Sequence, residues 1–174
     1  MLQFANMFLD IALLRRNPQD LPASPLLLRV SLVAVVISYV LALGSRYSFV
    51  ESLARALVDV AFLALFVYAL LMWAKHRARF NQSFTALCGT GTILNLVSWP
   101  VFGLLQDDTV GDSFSTLGLL LMIVIVIWGV TVTAHIFRQA MNRDWSQAVA
   151  ISLLYMFCAY TTGALVFSEN AAAT

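Results

Sequence analysis

Five stretches of this sequence, each about 20 residues long, are almost wholly apolar. A helix needs about 20 mostly apolar residues to cross the ~30 Å hydrocarbon layer of a bilayer, so each stretch is long enough for one crossing. The chain is therefore predicted to be an all-α integral membrane protein with five transmembrane helices. The predicted spans are residues 26–43, 53–73, 84–105, 117–137 and 148–167.

The composition excludes several other classes of protein. Apolar residues make up 61% of the 174 residues and charged residues 11%, whereas soluble domains have roughly 45–50% and about 25%. A chain this short has too little interior to hide the excess. A net charge of +1 provides no basic surface for nucleic acid. The two cysteines, Cys88 and Cys158, are too few for a disulfide framework or a zinc site.

The segment before the first span predicts a short amphipathic interfacial helix in residues 1–17, followed by a single transmembrane domain in residues 18–174. Its apolar residues recur at helical spacing, and Asn17-Pro18 is expected to end the helix. The helix is expected to lie on the cytoplasmic face. The alternative is a helix tucked under the bundle. The apolar face consists of Phe4, Met7, Phe8, Ile11 and Leu14.

Basic residues orient the predicted spans. Only Arg46 and Arg55 fall on one side of the predicted topology, and the other eight basic residues fall on the opposite side. Because basic residues favour the cytoplasmic side of a membrane, the N-terminus is predicted to be cytoplasmic and the C-terminus to lie outside. The eight residues are Arg15, Arg16, Arg29, Lys75, Arg77, Arg79, Arg138 and Arg143.

Asp59 is the ionisable residue inside a span that most needs an explanation, because charge within a bilayer is costly. Glu51, Arg55 and Asp59 are spaced four residues apart and so share one helix face. One interpretation is that Arg55 neutralises Asp59 and extends outward. The other is that Asp59 binds a proton or a cation and faces the interior of the bundle.

The third span is the most polar of the five. Gly89 and Gly91 allow close backbone approach, and Asn95 and Ser98 can form hydrogen bonds between helices. Pro100 removes a backbone hydrogen bond and is expected to kink or break the helix. This span is predicted to be the central helix of the bundle. A broken helix that lines a substrate pathway is the alternative.

Pairs of small residues four apart occur in other spans and predict tight helix packing. They are Ala34 with Ser38 in the first span, Gly129 with Thr133 in the fourth and Ala159 with Gly163 in the fifth. Such pairs can pack within one molecule or between copies.

No enzyme signature is present, and no catalytic residue, cofactor or metal site is predicted. The acidic loop at residues 106–112 lacks the spacing of a calcium-binding EF-hand and is interpreted as a solvated turn. The only histidines, His76 and His135, fall on the basic side of the predicted topology.

The stretch from Phe80 to Gly89, Phe-Asn-Gln-Ser-Phe-Thr-Ala-Leu-Cys-Gly, resembles bacterial members of the Yip1 family, as does the Pro-Gln-Asp-Leu-Pro run at Pro18–Pro22. The resemblance implies five membrane spans with a cytoplasmic N-terminus. For a bacterial protein it also implies the inner membrane, with the C-terminus in the periplasm. Eukaryotic relatives act in vesicle trafficking with small GTPases. This chain has only about 25 residues before its first span, so that role is not transferred.

The sequence thus predicts a non-enzymatic inner-membrane protein. Its expected role is that of a membrane scaffold or accessory subunit, which associates with itself or with another membrane protein in the lipid bilayer. The alternative is a small transporter or channel subunit with an ion or proton pathway near Asp59, Asn95 and Pro100.

Overall fold

A computed structural model describes residues 2–44, 46–106 and 112–167 of the protein. Within these ranges the chain forms six α-helices and two 3-10 turns, at Pro18–Asp20 and Arg77–Arg79. The acidic turn predicted between the third and fourth spans falls largely on residues 107–111, outside the described residues. The helices are α1 (Leu2–Ala12), α2 (Pro25–Leu43), α3 (Phe49–Trp73), α4 (Phe80–Gln106), α5 (Asp112–Met141) and α6 (Trp145–Phe167).

Helices α2 to α6 confirm the predicted fold class. Among the described residues, these five helices are long and apolar enough to cross a bilayer, as expected for a multi-pass membrane protein. Each predicted span lies inside one of them. Polar residues next to the apolar stretch extend several of the helices. For example, the Ser48 hydroxyl accepts a hydrogen bond from the Glu51 backbone N–H, at 3.3 Å, and caps α3 before its apolar part begins.

The five long helices form a ring in which α2 packs on α4, α4 on α5, α5 on α6, α6 on α3, and α3 on α2. Helix α4 also contacts α1 and α3. Its residues 83–90 are all buried, whereas Leu96, Val97 and Trp99 are exposed. The predicted central position of this span therefore holds for its first half.

The packed core lies in one half of the bundle, next to what we call the basic end. This is the end at which α3 and α5 finish and α2, α4 and α6 begin, and it carries the eight basic residues named above. The core residues there are less than one-tenth exposed. They include Val67, Leu71, Phe84, Ile136, Phe137 and Met141. The other half of the bundle has fewer buried residues.

Helices α1, α3 and α5 are each followed by a residue in the left-handed conformation, namely Leu14, Lys75 and Asn142, respectively. In each case the backbone N–H of the following residue donates a hydrogen bond to the carbonyl oxygen five residues before it. An example is the 2.9 Å bond from the His76 N–H to the Leu71 carbonyl. This is the Schellman arrangement, which usually employs glycine. None of the three positions is glycine. Asparagine also favours this conformation, so only the end of α5, at Asn142, carried a signal in the sequence.

Helix α1 is shorter than predicted and packs beside the bundle. It ends at Ala12, and Asn17 begins the 3-10 turn at Pro18–Asp20. Ile11 and Ala12 are completely buried. The indole N–H of Trp128 donates a 2.8 Å hydrogen bond to the Ala12 carbonyl. Helix α1 is therefore attached to α4 and α5, which favours the tucked alternative over a helix resting on the membrane surface.

Gly89 makes room for α1 on the surface of α4. It lies nine residues into α4, about 14 Å along the helix axis. A β-carbon at Gly89 would overlap the Phe8 ring. The close approach predicted for this glycine is therefore made by α1 and not by another span.

We expect Gly89→Ala to lower the free energy of unfolding by about 1 kcal/mol, the low end of the overpacking range, because the partly buried Phe8 ring has room to move. Thermal unfolding in detergent micelles measures this effect. The Phe8→Ala change should remove the clash, so the double variant should lose less stability than the two single variants together. Strictly additive losses would contradict this contact.

Candidate intramembrane polar site

Asp59 lies between two cavities in the loosely packed half of the bundle. The first, the end cavity, has a volume of about 330 Å³ and is formed by the start of α3, the end of α6 and Tyr39 of α2. The second, the central cavity, has a volume of about 300 Å³ and is lined by residues from all five long helices. Asp59, Tyr39 and Ala159 line both cavities. A partly buried carboxylate therefore stands where the two spaces meet.

Arg55 does not neutralise Asp59. Its guanidinium donates two hydrogen bonds to Glu51 Oε1, at 3.1 and 2.8 Å. The same group lies 4.1 Å from the centre of the Tyr47 ring and 4.4 Å from that of Phe167. The interpretation in which Arg55 pairs with Asp59 is therefore wrong, because the bidentate partner of Arg55 is the carboxylate one turn earlier.

The Asp59 carboxylate has no protein partner among the described residues. It forms no salt bridge and accepts no hydrogen bond there. Every described side-chain nitrogen or oxygen atom that is fully buried has a hydrogen-bond partner. The Asp59 oxygens have none, so they are not fully buried and are accessible from the cavities. The carboxylate is thus available to a proton or a cation that enters either cavity.

Asn95 reaches the same central cavity from α4, as the sequence predicted for a site containing both residues. Its side-chain amide donates a hydrogen bond of 3.2 Å to the Ser38 hydroxyl of α2, and its carbonyl oxygen remains able to accept. Ser38 in turn donates to the Val35 carbonyl, at 2.9 Å. The polar residues that line the central cavity are Tyr39, Asp59, Thr90, Asn95, Thr133 and Tyr155.

Ser98 and Pro100 do not join this site. Ser98 is buried, and its hydroxyl donates to the Leu94 carbonyl of its own helix, at 2.8 Å. Helix α4 continues through Pro100 to Gln106, so of the predicted kink or break at Pro100 the break does not occur. A proline costs the helix one hydrogen bond without ending it when the flanking apolar residues favour continued helix within the bilayer.

The small residues predicted to pack helices have two different roles. Gly91 and Gly129 face neighbouring helices, since a β-carbon would lie 3.4 Å from Val35 and 3.7 Å from Leu94, respectively. These two glycines also line the central cavity, as do Thr133 and Ala159. At Gly163 a β-carbon would meet no described atom within 4 Å, and this glycine lines the end cavity. The small residues of α6 therefore create space within the monomer.

Sequence reasoning missed the aromatic residues of the site. Tyr39, Phe62 and Tyr155 fall in predicted spans, where they were counted only as apolar residues. A tyrosine near the middle of a span is itself a signal, because its hydroxyl needs a polar neighbour within the bilayer. The clustering of these rings around Asp59 depends on how the helices pack.

Access to the site is asymmetric. The end cavity is formed by residues at the end of the bundle that is opposite the basic end, with Arg55 and Phe167 beside it. Between the central cavity and the basic end lies the packed core, in which Phe137 packs against Phe66 and Tyr155 at ring distances of 6.0 and 6.2 Å. Among the described residues, the packed core therefore separates the central cavity from the basic end, and the end cavity lies toward the opposite end.

The histidines do not contribute to this site. His135 is buried near the basic end, and its Nε2 lies 3.0 Å from the Arg16 carbonyl oxygen. It therefore helps to hold the segment after α1 against α5. Within the described residues, no group of three or more histidine, cysteine or acidic side chains is arranged to hold a metal ion.

Comparison with known proteins does not extend this description. No family model matches the sequence, and neither the curated proteins nor the solved structures show a significant match to it.

Proposed function

We propose that this protein binds a proton or a monovalent cation at Asp59 and acts as a small transporter or as a channel subunit. The observation that carries the proposal is the unpaired Asp59 carboxylate at the junction of the two cavities. Ionisable groups within a membrane are costly and usually mark ion pathways when no structural partner neutralises them. The partner expected to do so, Arg55, is bound to Glu51.

The asymmetry of the bundle supports a transporter in one of its two access states. A cation would enter from the end cavity, reach Asp59 and proceed to the central cavity, where Asn95 and the hydroxyl groups offer oxygen ligands. The core around Phe137 closes the path toward the basic end. Movement of a cation to that end requires the core to rearrange, as in alternating access.

Flux in liposomes tests the proposal. We expect purified protein in liposomes to pass protons, Na⁺ or K⁺ down an imposed gradient faster than empty liposomes, with a fluorescent indicator of internal pH or cation concentration as the readout. Asp59→Asn should reduce this flux at least about tenfold, because the neutral amide retains the shape but loses the charge that binds the cation.

Asp144→Asn is the matched control. Asp144 is an exposed acid just before α6, at the basic end, and asparagine there is an equally good cap for the helix. Flux through this variant should equal that of the unaltered protein. An absence of flux above empty liposomes, or equal flux through the Asp59→Asn protein, would contradict the proposal.

We further propose that the protein lies in a bacterial inner membrane with its N-terminus in the cytoplasm and its C-terminus in the periplasm, and that it is a bacterial Yip1-type protein. The gathering of eight of the ten basic residues at one end of the bundle supports this orientation. The resemblance of residues 80–89 to that family supports the family. In this orientation the end cavity faces the periplasm.

A scaffold or accessory subunit that associates with itself or with a partner remains a prediction. The small residues that motivated it contact helices of the same chain or line its cavities. The cation site therefore has more support from the geometry than self-association has. Chemical crosslinking in membranes, followed by size analysis, measures self-association directly.

A further inference from the structure

The end cavity differs from the central cavity in what lines it. The rings of Tyr39, Phe62 and Tyr160 border it, one from each of α2, α3 and α6. Asp59 is its one acidic side chain among the described residues. Binding pockets for small molecules are typically this large, mostly apolar or aromatic, and equipped with a few polar groups.

The charge balance of this cavity is negative. Arg55 also lines it, but the guanidinium charge is balanced by Glu51, at 2.8 Å. Both aromatic contacts of that guanidinium, with Tyr47 and Phe167, lie within 4.5 Å. The Asp59 carboxylate therefore provides the net charge that an occupant would meet.

A cavity of about 330 Å³ is far larger than a dehydrated inorganic cation needs. Small metal cations bind where several oxygen ligands converge at short distances, and this cavity offers one carboxylate and scattered hydroxyl groups. An organic ammonium ion spreads its charge over a larger apolar surface. Such ions bind to the faces of aromatic rings, with a carboxylate to balance the charge.

We propose that the end cavity is a binding site for an organic cation, specifically an alkyl- or arylammonium ion held by the Asp59 carboxylate and the rings of Tyr39, Phe62 and Tyr160. This inference rests on the proposed cation site at Asp59 and adds an organic cation, held in the end cavity, to the occupants of that site. The ammonium group lies beside Asp59, and the apolar part of the ion lies among the three rings and the small residues Ala159 and Gly163 of α6. No covalent step is involved.

Equilibrium dialysis of radiolabelled benzyltrimethylammonium against the full-length protein in detergent micelles tests the proposal. The permanent charge of this probe separates its binding from protonation. We expect saturable binding that an excess of unlabelled probe displaces. Neopentylbenzene has the same shape without the charge, and we expect it not to displace the probe. Displacement by the neutral compound as effectively as by unlabelled probe would show an apolar cavity only and would overturn the proposal.

Variants locate the binding within the molecule. Asp59→Asn should weaken binding at least about tenfold and Asp59→Glu should retain it. Phe62→Leu should weaken binding about fivefold through loss of the ring face. Phe157→Leu is the matched control, because Phe157 lies on α6, is 66% exposed and lines neither cavity. Equal binding by the Phe62→Leu and Phe157→Leu proteins would place the probe elsewhere. If Asp59→Asn does not fold, the comparison of charged and neutral probes on the unaltered protein still decides.

The flux experiment tests the proposed transport function and the dialysis experiment tests the organic-cation site, so each proposal can be overturned without the other. Flux of protons or inorganic cations that depends on Asp59, without any binding of benzyltrimethylammonium, would overturn the organic-cation site and leave the proposed transport function standing. Saturable binding without flux of any cation would overturn transport and leave the binding site standing.

Discussion

Phe137→Ala is expected to lower the free energy of unfolding by about 3–5 kcal/mol, the typical cost of truncating a buried phenylalanine. Phe137 is 1% exposed and lies in the core next to the basic end. Its ring packs against Phe66 and Tyr155. Because helices on several sides support these rings, the bundle cannot readily collapse into the space that the truncation leaves.

The matched control is Phe157→Ala, on the neighbouring helix. Phe157 is 66% exposed, and in a bilayer its ring would contact lipid. We expect its truncation to cost less than about 1 kcal/mol, because lipid fills the vacated space. Reversible unfolding in mixed detergent micelles, followed by circular dichroism, measures both variants. Equal losses from the two variants would show that the half next to the basic end is no better packed than the surface.

Arg79→Met is expected to lower the free energy of unfolding by about 2–3 kcal/mol, since hydrogen bonds to a charged group are stronger than neutral ones. The Arg79 guanidinium donates to the carbonyl oxygens of Gln139 and Ala140, at 2.9 and 3.2 Å. These carbonyls belong to the last turn of α5, where they lack partners within the helix. Arg79 thus fastens the start of α4 to the end of α5.

Neighbouring bonds show why Arg79 is important at the basic end. The Gln19 amide donates to the same Gln139 carbonyl, at 2.9 Å, and the Gln82 amide donates to the Leu21 carbonyl, also at 2.9 Å. These three side chains connect the segment after α1 with α4 and α5. Methionine retains most of the apolar stem of the arginine side chain and loses the guanidinium, so the change removes the two hydrogen bonds together with the charge.

Arg77→Met is the control for this second prediction. Arg77 lies two residues earlier in the same 3-10 turn and is exposed, and its side chain forms no hydrogen bond or ion pair with any described residue. We expect its loss to change stability by less than about 0.5 kcal/mol, as for most surface substitutions. The same unfolding measurement applies. A loss from Arg77→Met as large as that from Arg79→Met would mean that general charge, and not the bonds to α5, stabilises this end.

The position of α1 shows the limit of a periodic pattern. Apolar spacing in Phe4, Phe8 and Ile11 correctly indicated a helix with one apolar face. The pattern does not state what covers that face, because lipid and a neighbouring helix are equally apolar partners. The covering surface became known only when Gly89 and Trp128 were placed beside Phe8 and Ala12.

At the candidate site, too, the sequence identified the polar residues but not the contacts between them. The sequence identified Asp59 and Asn95, because polar residues within apolar spans are rare and costly. It left open whether Arg55 pairs with Asp59, since Glu51 and Asp59 are equally distant from Arg55 along the helix and only the side-chain conformation decides between them. It did not identify Tyr39, Phe62 or Tyr155, whose common position depends on three different helices.

The sequence by itself determined that five helices are able to cross a membrane, and approximately where each begins and ends. The reason is that crossing about 30 Å of hydrocarbon requires a continuous apolar length, and this property belongs to each segment alone. Only the tertiary structure decided which helices are neighbours, that the core lies next to the basic end, and that the Asp59 carboxylate is unpaired between two cavities. These features depend on contacts between segments distant in the chain, and an apolar span in lipid contains little information about which face meets which neighbour.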